Sequence, residues 1–99
     1  MRYIYSVIQS FKDSDTEKIF NRIYCKKYSA GIQKIALRKL LLINGSTDVN
    51  DLRIPPGNRL EILKEDRKGQ YSIRINDKYR ICFKWNNGNA LEVHIVDYH

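Results

Sequence analysis

The alternation of apolar and polar residues between positions 71 and 85 constrains the fold more than any other feature of the chain. The stretch reads YSIRINDKYRICFKW, two period-2 runs around a short polar break. Such runs are typical of half-buried strands, and the pair predicts an antiparallel hairpin. Both apolar sets must face one core, because a slip of one residue moves every side chain to the other face of the sheet.

A three-residue loop over 76–78 meets this requirement, because it sets Ile73 opposite Ile81. Asn and Asp tolerate the left-handed backbone that such loops use. The same register places Arg74 directly across from Arg80, on the face away from the core. Like charges opposed on a sheet destabilise it by roughly 0.2–1 kcal/mol. The pattern therefore indicates either two well-solvated arginines or an anion held between them.

The remaining segments predict two helices and further strands. A strand is expected at 7–12, with residues 1–6 as its extension or as an N-terminal extension of the chain. Asp13–Thr16 offers N-caps for a helix that carries Ile19, Phe20 and Ile23 toward the core. A second helix is expected from Ser29 to Asn44-Gly45, with Lys34, Arg38 and Lys39 on its solvated face. A shaped loop at 48–58 and strands near 59–64, 70–76, 79–86 and 90–97 follow. The predicted fold is α+β, one domain over 1–99, with a two-helix hairpin on one face of a curved antiparallel β-meander.

A last hairpin around Asn86–Asn89 is expected to pair Trp85 with Leu91 and Ile81 with Ile95. This register sets Lys84 across from Glu92, an ordinary cross-strand ion pair, and Cys82 across from His94. Phe83 would then face Val93. The non-core face of the sheet gathers the following residues: Arg74, Arg80, Cys82, Lys84, His94 and Tyr98, with Lys64, Arg67 and His99 entering from strand ends.

The charge of the chain indicates an anionic partner. Lys and Arg exceed Asp and Glu by 18 to 11, a formal net charge of +7, which suits nucleic acid, a membrane surface or an acidic protein. No apolar run approaches the length of a membrane span, and the N-terminus has no secretory-signal pattern. The two cysteines, in unlike contexts, predict reduced thiols in a cytoplasmic protein. His94, His99 and the cysteines lack metal-ligand spacing, and no cofactor is expected.

Four interpretations of the non-core face compete at this point. It is a solvated sheet surface, a thiol site of Cys82 and His94, a nucleic-acid-binding surface without chemistry, or a site that cleaves RNA without metal. In the last case the 2′-hydroxyl attacks its own phosphate, and catalysis needs charge stabilisation and proton transfer at both oxygens. A fork of two arginines suits such a phosphate. The residues alone do not separate binding from cleavage.

Two stretches of the sequence carry a resemblance to a known family. They are PPGNRLEILKEDRKGQYSIRINDKYRICFKW and the terminal EVHIVDYH. Both resemble the HigB-type toxins of the RelE/ParE superfamily, and the likeness extends over nearly the whole chain from about Val7. The resemblance implies a helical hairpin on a curved antiparallel sheet. It also implies a toxin that enters the ribosomal A site and cuts translated mRNA without a metal.

The resemblance further implies partners and site residues. The partners are a HigA-like helix-turn-helix antitoxin, the ribosome with its mRNA, and operator DNA through the antitoxin complex only. Arg80 matches the family arginine that holds the scissile phosphate. The candidate catalytic residues are Arg80, Tyr98, His99, Lys64 and Glu61. The candidate phosphate- or RNA-binding residues are Arg74, Arg67, Lys84 and Asp97, of which Arg74 comes from the hairpin register.

One position departs from the family pattern. Glu61 stands where several relatives carry a histidine, and a glutamate does not ordinarily titrate near neutrality. Either Glu61 is a base with an altered pKa, or Tyr98 and His99 transfer the protons, or the enzyme is slow. Weak, ribosome-dependent cleavage is therefore expected. The alternatives are a ParE-like growth inhibitor that contacts gyrase, and a toxin fold that has lost catalysis and acts as a corepressor with its antitoxin.

Overall fold

The computed structural model describes residues 7–97, apart from the side chain of Glu65. The expected extension 1–6 and the site candidates Tyr98 and His99 lie outside the described residues. The helices are α1 (Ser14–Phe20) and α2 (Ala30–Asn44), and the strands are β1 (Glu61–Ile62), β2 (Gln70–Arg74), β3 (Tyr79–Asn86) and β4 (Asn89–Asp97). Each strand pairs antiparallel with the next, in the order β1-β2-β3-β4. The predicted α+β meander is confirmed.

Both helices begin at the predicted caps. The side chain of Asp13 accepts a hydrogen bond from the backbone N–H of Thr16 at 2.8 Å, and Ser29 Oγ accepts one from the N–H of Ile32 at 3.2 Å. These contacts satisfy backbone donors that the first helical turn leaves unpaired. α2 ends at Asn44, as predicted, with Gly45 as its C-cap.

Two predictions about the helices are wrong. Ile23 is 54% exposed, because α1 ends at Phe20 and no longer directs residue 23 toward the core. Lys39 was expected in solvent but is only 8% exposed. Its ammonium donates to the side-chain oxygen of Asn58, so the apolar face of α2 includes one long cationic side chain.

The predicted N-terminal strand is an extended segment rather than a regular strand. The backbone N–H of Gln9 donates to the carbonyl of Ala90 at 2.8 Å, and that of Lys12 to the carbonyl of Val93 at 3.0 Å. The segment runs parallel to β4 through two isolated bridges. It therefore covers the outer edge of β4 and occupies backbone groups that an edge strand would expose.

The β2–β3 hairpin has the predicted register. Ile73 pairs with Ile81, and Arg74 pairs with Arg80. Asn76 Oδ1 accepts from the backbone N–H groups of Lys78 and Tyr79 at 2.9 and 2.8 Å. The asparagine side chain thus closes the loop in place of a backbone carbonyl.

The β3–β4 hairpin follows the prediction only at one end. Ile81 pairs with Ile95 and Cys82 with His94, as expected, but Trp85 pairs with Ala90 instead of Leu91. The cause is the turn: Asn87 and Gly88 both have positive φ, 51° and 80°, typical of a two-residue hairpin loop. A β-bulge then absorbs one residue, with Glu92 at φ 53°, and restores the predicted register further along. Consequently Lys84 pairs with Leu91 rather than Glu92, and the expected Phe83–Val93 pair does not form.

The segment before β1 takes a defined shape without regular strands. The short 3-10 helices Val49–Arg53 and Pro56–Asn58 occupy the predicted loop, where the prolines cannot continue a strand ladder. β1 has two residues instead of the six expected at 59–64, because Arg59 has a left-handed backbone with φ 46°. A third 3-10 helix, Glu65–Arg67, leads into β2.

The core lies between the helices and one face of the sheet. Its fully buried members include Leu40, Ile43, Leu52, Ile73, Ile81, Phe83 and Val93. Phe83 is central, since its ring lies 6.1 Å from that of Tyr71 and 6.3 Å from that of Trp85. Among residues 7–97, no helix is long and apolar enough to cross a membrane.

Candidate functional site

The sheet face opposite the helices is buried at its centre. Ser72 and Cys82 are fully buried, and Arg80 and His94 are only 7% and 8% exposed. The interpretation of this face as a solvated surface is therefore wrong for these residues. The chain around β1 lies against this face and supplies a carbonyl from Arg59 to the arginine.

The guanidinium of Arg80 is held from several directions. Its Nε donates to Ser72 Oγ at 2.8 Å, and its Nη2 donates to the carbonyl of Arg59 at 2.5 Å. Glu61 Oε1 lies 3.7 Å from the same Nη2. Because two different segments fix the planar group, its orientation is set before any ligand arrives. Arg80 lies off the apolar core, as predicted, but within a polar shell rather than in solvent.

A polar cleft opens beside Arg80. Its volume is about 260 Å³, and its lining residues are Arg59, Arg74, Asn76, Asp77 and Arg80. Arg74 is one-third exposed and forms an ion pair with Asp77, which is almost fully exposed. The cleft is therefore lined by three arginines and one aspartate, a net positive lining that is suited to a phosphate-sized anion.

The other predicted site residues are distributed unevenly around this cleft. Glu61 is half exposed beside Arg80, and Lys64 follows β1 with an exposed side chain. Asp97 is the last residue of β4 and pairs with Tyr79, next to the pair formed by Val96 and Arg80. Lys84 is different, because its Nζ lies 3.2 Å from Glu92 Oε2. The predicted ion pair between Lys84 and Glu92 therefore forms. Lys84 is four residues along β3 from Arg80, or about 13 Å, so the structure does not bring it to the cleft.

The thiol interpretation is wrong for this structure. Cys82 is fully buried, and burial raises the pKa of its thiol, although the charges of Arg67 and Arg80 act in the opposite direction. A reactive cysteine needs a lowered pKa and access to solvent. Cys82 therefore behaves as a small buried side chain. Within residues 7–97, no three His, Cys, Asp or Glu side chains come together as possible metal ligands.

Arg67 lies near Cys82 and His94 instead of lining the cleft. His94 Nδ1 is 2.7 Å from the carbonyl of Glu92, so this nitrogen carries the proton and Nε2 is left as an acceptor. Arg67 Nη1 and His94 Nε2 are both buried without a hydrogen-bond partner among the described residues. The charge of Arg67 therefore acts on Cys82 and His94 rather than in the cleft.

The pKa of His94 is lowered chiefly by burial. The hydrogen bond to Glu92 opposes this shift, the charges of Lys12 and Arg67 add to it, and Asp13 opposes it. The unfolded chain therefore binds a proton near pH 6.5 while the folded chain does not. The free energy of unfolding is expected to fall as the pH drops below about 6.5, down to the folded-state pKa.

This prediction is checked by urea unfolding at pH 7.5 and 5.5. The wild type should lose more stability between these values than His94→Gln, whose amide cannot titrate. Equal losses in both proteins would show that His94 does not contribute to the pH dependence.

Sequence reasoning missed three residues that shape the cleft. Ser72 could have been found, because alternation along β2 puts it on the face of Arg74. The role of Arg59 could not be predicted from side-chain patterns, because its backbone carbonyl is the group that contacts Arg80 and a left-handed turn positions it. Asn58, fully buried beneath that turn, gave no signal in a stretch with the composition of a loop.

The sequence of the chain is similar to known toxins. Residues 9–99 match the model of the family described as the RelE-like toxin of type II toxin-antitoxin system HigB. Toxin HigB-1 of Vibrio cholerae is 42% identical over 66 residues, which cover 67% of this chain and 70% of that protein. Endoribonuclease HigB of Proteus vulgaris is 29% identical over 93 residues, 94% of this chain and 100% of that protein.

A solved structure supports the same fold. The YoeB dimer from Staphylococcus aureus matches with a TM-score of 0.58 at 20% identity, covering 97% of this chain and 99% of that one. This likeness confirms the predicted RelE-like architecture. The match over residues 9–99 and the 42% identity to the Vibrio cholerae toxin establish that the chain belongs to the family of RelE-like HigB toxins of type II toxin-antitoxin systems.

Proposed function

We propose that this toxin is an endoribonuclease that cuts mRNA on the ribosome. The observation that carries the proposal is the oriented guanidinium of Arg80 at a cleft shared with Arg74 and Arg59. Fixed cationic donors around a phosphate-sized space are what charge stabilisation in phosphoryl transfer requires. The name of the Proteus vulgaris relative, an endoribonuclease, supports the same activity.

The proposed reaction uses the substrate's own nucleophile. A base takes the proton of the 2′-hydroxyl, the oxygen attacks the adjacent phosphorus, and the 5′-oxygen leaves with a proton from an acid. The products carry a 2′,3′-cyclic phosphate and a 5′-hydroxyl. Arg80 and Arg74 hold the phosphate and stabilise the negative charge of the pentavalent intermediate.

The proton carriers are proposed from their positions and from the family resemblance. Glu61, at 3.7 Å from Arg80, is a candidate base for the 2′-hydroxyl. Tyr98 and His99 are candidate acids and bases by resemblance. The strand that precedes them in the chain, β4, pairs with Arg80 through Val96. Lys64 is proposed to add positive charge to the site, and Asp97 to orient its neighbours.

Dependence on the ribosome follows from the need for positioning. A site without a histidine at position 61 gains less from acid–base chemistry and more from a correctly placed substrate. A ribosome that holds mRNA in an extended conformation supplies that placement. The net charge of +7 favours encounter with ribosomal RNA and predicts strong salt dependence. This target places the proposed action in the cytoplasm.

Membership in the family implies an antitoxin partner. We propose that this antitoxin is HigA-like, with a helix-turn-helix domain, and that operator DNA is bound only through the toxin-antitoxin complex.

The proposed function is tested by incubating a defined mRNA with purified protein, with and without ribosomes. Cleavage inside the reading frame only when ribosomes are present is the expected result. Growth arrest in cells without mRNA cleavage in either condition would contradict the proposal and favour a gyrase-type target.

Removing the carboxylate from the cleft is expected to strengthen RNA binding. Asp77 pairs with Arg74 at the position where a phosphate would compete for the same guanidinium. Exposed ion pairs contribute little, so Asp77→Asn should raise affinity for a short RNA by about two- to fivefold. Fluorescence anisotropy at low salt measures this. Glu17→Gln, an exposed carboxylate on α1, matches the charge change and should have a smaller effect; equal effects would mean that only net charge matters.

A further inference from the structure

Lys39 is a buried cation that links α2 to the turn before β1. It is 8% exposed, and its ammonium donates to Asn58 Oδ1. Asn58 is fully buried, and its Nδ2 donates to the carbonyls of Leu52 and Ile54 at 3.1 and 3.4 Å. One amide side chain therefore holds the 3-10 turns together on one side and accepts the lysine on the other.

The turn held by Asn58 supplies a contact to Arg80. The next residue, Arg59, has a left-handed backbone with φ 46° and ψ 58°, and its N–H donates to the carbonyl of Pro56 at 3.0 Å. In this conformation its own carbonyl accepts from Arg80 Nη2. A continuous path thus runs from Lys39 through Asn58 and the Arg59 backbone to the guanidinium at the cleft.

The buried position of Lys39 disfavours the charged form of its side chain. The pKa of Lys39 is lowered by burial and, further, by the charges of Arg38 and Arg74. Among the described residues, no carboxylate lies within 4.0 Å of its ammonium. A buried charge near other cations costs stability, and an apolar side chain of similar length would avoid that cost. What the lysine contributes here is its hydrogen bond, because an apolar side chain would leave the buried Oδ1 of Asn58 without this donor.

We propose that Lys39 is a positioning residue, which acts through Asn58 and the carbonyl of Arg59 to orient the guanidinium of Arg80. The role in catalysis rests on the proposed RNA cleavage, whereas the effect on Arg80 does not. Because the contact works by hydrogen-bond donation and not by charge, a neutral donor at position 39 should largely replace the lysine.

The test compares Lys39→Met, which removes the donor, with Lys39→Gln, which keeps a donor without the charge. Lys34→Met removes a charge from an exposed site on the same helix and is the matched control. The first readout is the ¹H–¹⁵N resonance of Arg80 Nε–H, which its bond to buried Ser72 Oγ should protect from exchange. This resonance is assigned by its loss in Arg80→Lys. The second readout is ribosome-dependent cleavage.

Lys39→Met should shift or broaden the Arg80 resonance while the backbone spectrum stays dispersed, and should lower cleavage roughly ten- to hundredfold, as expected for a misplaced catalytic group. Lys39→Gln and Lys34→Met should leave both readouts near the wild type. An unchanged Arg80 resonance in Lys39→Met would overturn the proposal, and so would a Lys39→Gln as impaired as Lys39→Met. If Lys39→Met does not fold, Lys39→Ala, which also removes the donor, takes its place, and an unchanged Arg80 resonance there overturns the proposal. If the wild type cleaves no RNA, the resonance still tests the positioning, and only the proposed function fails.

Discussion

Arg80→Ala should reduce mRNA cleavage by at least a hundredfold while leaving a folded protein. The substitution removes the oriented guanidinium at the cleft, and loss of one fixed donor to a developing negative charge costs roughly 10²- to 10³-fold in rate. Single-turnover cleavage with ribosomes measures the effect. Arg80→Lys is the matched control, because it retains the charge but not the planar fork, and it should recover only a small part of the rate.

Arg80→Ala should also lower the free energy of unfolding, because Arg80 is buried and hydrogen-bonded to polar neighbours. The substitution leaves the buried Ser72 Oγ without this donor, at about 1–3 kcal/mol for a buried group left unpaired, and it removes the donor to the carbonyl of the exposed Arg59. Domains of this size have about 5–15 kcal/mol of stability, so most molecules stay folded. Urea unfolding checks this. Full activity in a folded Arg80→Ala protein would refute the assignment of Arg80, and global unfolding would make it a structural residue.

Phe83→Ala should produce the largest loss of stability. Phe83 is fully buried, and its ring packs against Tyr71 and Trp85 on the same face of the sheet. Truncation of a buried phenylalanine costs about 3–5 kcal/mol, since the lost apolar contacts are compounded by the cavity that remains. This is a large part of the whole free energy of unfolding.

The shift is measured by urea unfolding followed by circular dichroism. Tyr24→Ala is the control, because Tyr24 is 69% exposed and should change stability by about 0.5 kcal/mol or less. A loss of less than 1 kcal/mol in Phe83→Ala would show that residue 83 does not lie at the centre of the core.

The sheet was predictable where side-chain alternation was unbroken. Between Tyr71 and Ile81 each apolar residue has one consistent face, and that consistency determined the pairing of Arg74 with Arg80. Near the last turn the same reasoning failed, because Asn87-Gly88 forms the tight loop and Glu92 takes a left-handed bulge. An alternating pattern predicts pairing one residue to one residue. It cannot predict a bulge, in which two residues of one strand lie opposite one residue of the other.

The candidate site was predictable in its arginines and not in their surroundings. Strand register identified Arg80 and Arg74 but could not show that residues around β1 would fold over the second face of the sheet and bury Arg80. Those contacts depend on a left-handed turn at Arg59 and a buried amide at Asn58, neither of which has a periodic pattern. Lys39 was misplaced for a related reason: spacing on a helix identifies the face of a lysine, while the length of its side chain lets it reach a buried partner.

Mapping of 5′ ends on a translated mRNA, with wild type and Arg80→Ala side by side, tests the central claim most directly. The claim is that the cleft around Arg80 holds the phosphate at which this toxin cuts RNA. The predicted result is new 5′-hydroxyl ends inside the reading frame with the wild type and ribosomes, and at least a hundredfold fewer of them with the folded variant. Ends that persist undiminished in Arg80→Ala, or that carry a 5′-phosphate, would contradict the assignment of the site and its chemistry.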